Sequence, residues 1–281
     1  MADITAADIK KVREITGAGM SDVKAALTEA EGDHDKAVEI LRLKGAKDVG
    51  KRESRSASNG FVALATDGTT KAVIVEINCE TDFVAKTEQL QTLGADIAQH
   101  ALSAGIGDAD ALAGSSFGGG TVKSALDEAN AALGEKIEVR RVALVEGAYV
   151  ASYLHKTSPD LPPAIGVLVA LSADSGAVTA ELGKQLAQHV AAFSSRFLSR
   201  DDVPAETVEA ERRLAEQMAR EEGKPDAALP KIVEGRVNGF FKDFVLLEQA
   251  FVMDNKKSVQ KVLEEAGVTV TAFSRFKVGQ A

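Results

Sequence analysis

Apolar positions along the chain change period between its first and later thirds. Over residues 1–45 they recur at helical spacing in three short blocks. Ile9, Val12 and Ile15 share one face of a first helix that Thr5 is placed to cap. Gly17-Ala18-Gly19 breaks it and puts Met20 in a turn. Ser21 is placed to cap a second helix with Val23, Ala26, Leu27 and Ala30 inward. Gly32 breaks the pattern again, and Asp33 or Asp35 opens a third helix with Val38, Leu41 and Leu43 inward. Residues 46–59 are polar, carry no apolar period and read as a flexible linker. Beyond them strands alternate with helices. Strands are predicted near Phe61–Ala65 and over 71–77, with Asp67-Gly68 as the turn between them. Helices over Leu90–Leu102 and Ser124–Leu133, separated by a loop at Gly118–Gly120, lead to a strand over Ile137–Val145.

The second half repeats this order. Leu93-Gly-Ala-Asp-Ile-Ala-Gln-His100 matches Leu182-Gly-Lys-Gln-Leu-Ala-Gln-His189 at five of eight positions. A strand-like run precedes each, Val73–Ile77 and Val167–Leu171. A helix-then-strand pattern closes each, Ser258–Ala266 with Val268–Val278 in the second copy. Such internal similarity points to a duplicated α+β unit. From Val75 to Leu93 is eighteen positions, and from the matching Val169 to Leu182 thirteen, so the first copy carries five extra residues. The second copy carries its own insertion at about 200–250. There, a charged stretch over 204–222 has a thin apolar seam of Val208, Leu214, Ala215 and Met218. Gly223-Lys-Pro225 stops it, and Ile232, Val233, Val237, Phe240 and Phe241 mark a second helix. Together they predict a projecting antiparallel hairpin.

The expected fold is therefore α+β: a helical domain over 1–45, a linker over 46–59, a core unit over 60–147 and a second over 148–281 that carries the hairpin. Each core unit should hold a small antiparallel sheet with helices on one face. The three-helix layout resembles ubiquitin-associated domains, which present a hydrophobic patch to a partner. Met20 is then either a core plug or part of such a patch. A bundle this small buries little surface and is marginal alone.

A net charge of −9 argues against nucleic acid as the main partner, because phosphate binding needs a concentrated basic surface. The basic stretch Lys44–Arg55 is short. The one cysteine, Cys79, excludes an internal disulfide and fits a reducing compartment. No signal-peptide pattern opens the chain and no run is long enough for a membrane span, which together point to the cytoplasm. No phosphate-cradling Gly-x4-Gly-Lys-Ser/Thr loop, no dinucleotide glycine fingerprint and no His-Glu-x-x-His zinc motif occurs. His100 and His189 occupy equivalent repeat positions and read as structural. His155 lies in Tyr153-Leu-His155-Lys-Thr-Ser-Pro, read as a loop entering the second unit. A Cys79–His155–Asp82 nucleophilic set has neither an oxyanion loop nor a pocket. No cofactor and no enzymatic bond chemistry are expected.

The five extra residues fall on Asn78-Cys79-Glu80-Thr81-Asp82-Phe83-Val84-Ala85-Lys86, where strand becomes helix. Phe83 either folds back into the core or, beside Asp82, probes a partner's pocket.

Several segments, in order, resemble the bacterial translation elongation factor Ts family. They are Thr16-Gly-Ala-Gly-Met20 with Asp22 and Lys24-Ala-Ala-Leu27, the Asn78–Lys86 segment, Ile165-Gly-Val-Leu-Val169, His189-Val-Ala-Ala192, Val233-Glu-Gly-Arg236 and Gln249-Ala-Phe-Val252. The resemblance runs nearly end to end. It implies a guanine-nucleotide exchange factor for the GTPase elongation factor Tu. It further implies that Thr81, Asp82, Phe83 and Val84 enter Tu beside its magnesium site, Phe83 as a wedge between helices and Asp82 against the water network of the ion. His155 would bear on the phosphate-binding loop, and Val12 and Met20 would dock an exposed helix of the nucleotide domain. The second core unit and the hairpin would hold the rest of Tu. Three departures stand out. Lys156–Pro163 lengthens the loop after His155, Ala250 replaces a proline common in relatives, and some relatives continue past the last residues here into a further helix, which implies fewer contacts. The competing reading is a non-exchange adaptor or chaperone-like module built on the helical domain. The Asp82-Phe83 segment argues against it, since a tether has no need of one.

Overall fold

The computed structural model describes residues 4–16, 18–52, 54–172, 176–193 and 195–280. Three helices come first: α1 (Ala6–Thr16), α2 (Met20–Glu29) and α3 (His34–Arg52). Thr5 caps α1 as expected. The Asp8 amide donates to Thr5 Oγ1 at 3.2 Å, and the Thr5 amide returns a bond to Asp8 Oδ2 at 2.9 Å. The Thr5 hydroxyl, donating to Asp8 Oδ2 at 2.6 Å, holds the Asp8 carboxyl down at about 2 together with the Thr5 amide, helped by His34 Nε2 at 3.0 Å. Asp33 caps α3 through the Lys36 amide at 3.1 Å.

Four expectations for this region change. Gly19, not Ser21, is the N-cap of α2, so Met20 is the first helical residue rather than part of a turn. Val12 is fully buried among α1, α2 and α3, whereas Ile15 and Leu43 face outward. The predicted break falls partly on Gly17, which lies outside the described residues. The linker expected over 46–59 is coil only in part, because α3 continues to Arg52. Gly45 and Gly50 each cost about 1 kcal/mol in a helix. The helix as a whole packs against a later one. Glu53 lies outside the described residues.

The first core unit comprises β1 (Asn59–Thr66), β2 (Lys71–Cys79), α4 (Asp82–Ala85), α5 (Glu88–Ala104), α6 (Ala109–Gly114), β3 (Ser116–Phe117), β4 (Gly120–Thr121), α7 (Val122–Leu133) and β5 (Ile137–Glu146). It is α7 that α3 lies against. The second comprises β6 (Tyr149–His155), β7 (Ile165–Leu171), α8 (Ala177–Phe193), α9 (Ala205–Glu221), α10 (Leu229–Phe244), β8 (Ala250–Phe251), β9 (Asp254–Ser258), α11 (Val259–Ala266) and β10 (Val270–Lys277).

The duplication is visible in the topology. One antiparallel sheet has the order β1-β2-β5, the other β10-β7-β6. In each the second strand of the unit is central, a long helix follows it, and a helix-strand pair closes the sheet. Gly94 on α5 and Gly183 on α8 are equivalent, and both lie where a helix presses onto its sheet. A Cβ at Gly94 would come within 2.7 Å of the Phe61 ring, and one at Gly183 within 2.8 Å of Ala151 Cβ.

The sheets then pack face to face. Val62, Ile74 and Val145 of the first meet Leu168, Ala170 and Phe276 of the second. The approach is closest at Gly166, where a Cβ would lie 2.4 Å from Val62 Cγ1. Helices α5 and α7 cover the outer face of one sheet, and α8 and α11 that of the other. The order is helix, sheet, sheet, helix. At the junction the buried Glu76 carboxylate accepts from Arg141 Nε at 2.7 Å and from the Gly279 amide at 3.2 Å, so its charge is paired and bonded as a buried charge must be.

The insertion forms the expected hairpin. Ala215 and Ala219 on α9 face Val233, Val237 and Phe240 on α10, with Gly223 left-handed at the tip (φ 72°). Leu214 and Met218 lie on the outer face instead of in the seam.

Candidate functional site

The segment between β2 and α5 is built from both ends. β2 is buried along nearly its whole length and ends at Cys79. Thr81 then turns extended (φ −128°, ψ 156°) and caps α4, its hydroxyl accepting the Val84 amide at 3.4 Å. Thr87 caps α5 in the same way and donates its own hydroxyl to the Val84 carbonyl at 2.8 Å. A helix of one turn has one inner face, and Val84 and Ala85 fill it, packed with Phe61, Ile77 and Leu90. Phe83 is left on the outer face with 77% of its surface exposed. The fold-back reading for Phe83 does not hold, and Val84, expected as a partner contact, is a core anchor.

Asp82 is half-buried and ion-paired with Lys86, Oδ2 to Nζ at 3.1 Å. The same ammonium sits 5.7 Å from the centre of the Phe83 ring. Two glutamates brace the turn from below. Glu135, at the corner between α7 and β5, accepts the Glu80 amide at 3.1 Å, the Thr81 amide at 3.0 Å and the Thr81 hydroxyl at 2.5 Å. Glu80 reaches the other way, accepting the Lys136 amide at 2.7 Å and Arg55 Nη1 at 3.2 Å.

Cys79 is wholly buried and donates to the Thr81 carbonyl at 3.1 Å. Burial, with Glu135 adding negative charge nearby, pushes its thiol up to about 12, so it is no nucleophile at neutral pH. His155 is the last residue of β6, not a loop residue, and its side chain is exposed. Its Nδ1 pairs with the Tyr153 hydroxyl at 3.1 Å. Its carbonyl accepts the Ala164 amide at 3.0 Å, which closes the long loop behind it. That loop also reaches the first unit, Pro163 O accepting the Val62 amide at 2.9 Å. Neither Cys79 nor Asp82 is a hydrogen-bond partner of His155, so the nucleophilic set is not assembled. Among the described residues no group of three or more His, Cys, Asp or Glu is placed to hold a metal ion. No described helix is long and apolar enough to cross a membrane.

On the helical bundle, Met20 is 64% exposed at the start of α2. It is a surface residue, not a core plug. Val12, fully buried, belongs to the core of the same bundle. Glu80 lies within the segment that drew attention in the sequence but had no assigned role. Glu135 carried no local signal, because its partners Glu80 and Thr81 are 55 and 54 residues away.

Comparison with known proteins follows the same lines. A family model described as "Elongation factor TS" matches residues 80–280. Elongation factor Ts of Thermobifida fusca is 58% identical over 282 residues, covering 100% of both chains. That of Acidothermus cellulolyticus is 59% identical over 280 residues, again covering 100% of both. That of Streptomyces coelicolor is 58% identical over 281 residues, covering 99% of this chain and 100% of the relative. With this identity sustained over whole chains, the protein belongs to the elongation factor Ts family.

Proposed function

We propose that the chain is a guanine-nucleotide exchange factor that acts on elongation factor Tu in the cytoplasm and releases its GDP during translation elongation. The observation that carries this reading is Phe83, a large apolar side chain held out of the core on a turn fixed by caps and carboxylates. Burying one Phe gains roughly 1.5–3 kcal/mol, which is too little to expel a tightly held nucleotide. Phe83 therefore works with Asp82, which it carries toward the magnesium site. His155, exposed at the end of β6, bears on the phosphate-binding loop. Met20 docks the bundle, and the second unit with its hairpin grips the remainder. By linkage, a factor that prefers empty Tu weakens GDP binding by the ratio in which GDP weakens its own. No covalent bond changes.

Release of fluorescent GDP from Tu tests this directly. A sub-stoichiometric amount of the chain is expected to discharge the whole Tu pool. An adaptor binds without turnover, so release that stops at one equivalent, or an unchanged rate, overturns the proposal. A chelator arm separates the two levers. With magnesium already removed, Asp82→Ala loses most of its penalty, while the penalty of His155→Ala persists. An equal Asp82→Ala penalty with and without magnesium contradicts the metal-loosening role.

A further inference from the structure

Resting on the exchange reading above, we infer that Glu135 is a positioning residue for Phe83, acting through a reciprocal carboxylate latch with Glu80. The geometry is unusual in its economy. Two loops that are distant in sequence exchange backbone bonds through their acidic side chains. Glu135 takes the amides of Glu80 and Thr81, and Glu80 takes the amide of Lys136. Each loop thus caps the other. Charge-assisted bonds of this kind are shorter and stronger than neutral ones. Glu135 also takes the hydroxyl hydrogen of Thr81. That leaves the Thr81 oxygen's lone pairs to receive the Val84 amide, the bond that starts α4.

The consequence falls on Phe83. Its ring is largely exposed, with the Lys86 ammonium at its face. Its orientation is therefore inherited from the backbone of α4. That backbone is held by Val84 and Ala85 in the core, by the Thr87 hydroxyl on the Val84 carbonyl and by the Thr81 cap on the latch. With the latch released, the core and Thr87 anchors remain, but the Thr81 cap loses the carboxylate that held its amide and hydroxyl, and Phe83 leaves its productive angle. Positioning errors of about 1 Å at a reacting group can cost on the order of a hundredfold in rate. A looser turn with its apolar anchors intact should cost less. Arg55, in the segment that follows α3, holds the outer side of Glu80 and extends the latch toward the helical bundle.

The test is a mutant cycle on GDP release from Tu at saturating factor, using the full chain. Glu135→Ala is expected to slow maximal release on the order of tenfold with little change in the half-saturating concentration, since the other docking surfaces are intact. In a Phe83→Ala background the same change is expected to add almost nothing, because the residue it positions is gone. Glu135→Gln keeps one acceptor oxygen and is expected to fall between; it also serves if the alanine variant does not fold. Amide hydrogen exchange gives a readout independent of Tu: the Glu80 and Thr81 amides lose protection in Glu135→Ala while those of α5 keep theirs. Equal slowing in both backgrounds marks a general structural defect and overturns the proposal. So does an unimpaired Glu135→Ala or unchanged protection at Glu80 and Thr81. A full rate for Phe83→Ala alone overturns the reading of Phe83 and this proposal with it. A slow Phe83→Ala beside a normal Glu135→Ala removes the latch only.

Discussion

A single helical turn can hide only the residues on one side, and in α4 Val84 and Ala85 take that side, so Phe83 has no route inward. The position of Phe83 at an enlarged strand-to-helix junction was legible in the sequence, because the repeat exposed the five added residues. The burial of Val12 was not. Helical period places Ile9, Val12 and Ile15 together, but only the crossing of three helices decides that Val12 is inside and Ile15 outside. His189 shows the value of a residue read as structural. Its Nδ1 accepts the Val252 amide at 3.2 Å, so the ring hydrogen sits on Nε2 and is donated to Gln249 Oε1 at 2.9 Å. Burial lowers its pKa below the ordinary 6.5. The folded state then holds fewer protons than the unfolded one in this range. The stability this gives is present above about pH 6.5 and is lost as pH falls below the unfolded value toward the folded one. Denaturant unfolding at pH 7.5 and at 5.5 should show that loss, and His189→Gln should shrink it. An equal loss in the variant contradicts the assignment.

At the scale of elements, the core order was readable because hairpin turns, caps and periodicity agreed with one another. Two features were not. The face-to-face packing of the sheets depends on Gly166 meeting Val62, a contact between units that no local pattern encodes. The extension of α3 to Arg52 runs against its own glycines, in a helix that lies against α7. That contact bears on truncation. A fragment beginning at Ser54 keeps both sheets, the latch and Arg55, and is expected to fold. It loses Met20, and its affinity for Tu, measured by calorimetry, should drop on the order of tenfold, or about 1.4 kcal/mol. An unchanged affinity removes the bundle from the docking surface. Aggregation of the fragment instead shows that α7 needs α3 as cover.

For the whole molecule, the duplicated units supply a common frame, and the proposed function rests on the differences between them. The first unit spends its extra residues on the Asp82-Phe83 turn, the second on the hairpin and on the long loop behind His155. The face-to-face sheets make one body of these parts, and Pro163 bonding Val62 ties the His155 loop to the unit that carries Phe83. The measurement that bears most directly on this account is the rate of GDP release from Tu at saturating Phe83→Ala, read beside its melting temperature. Because Phe83 is exposed, truncation should change stability by no more than about 0.5 kcal/mol. Release should slow by about tenfold or more, the equivalent of losing roughly 1.4 kcal/mol or more at the wedge. A full release rate from a normally folded variant contradicts the account.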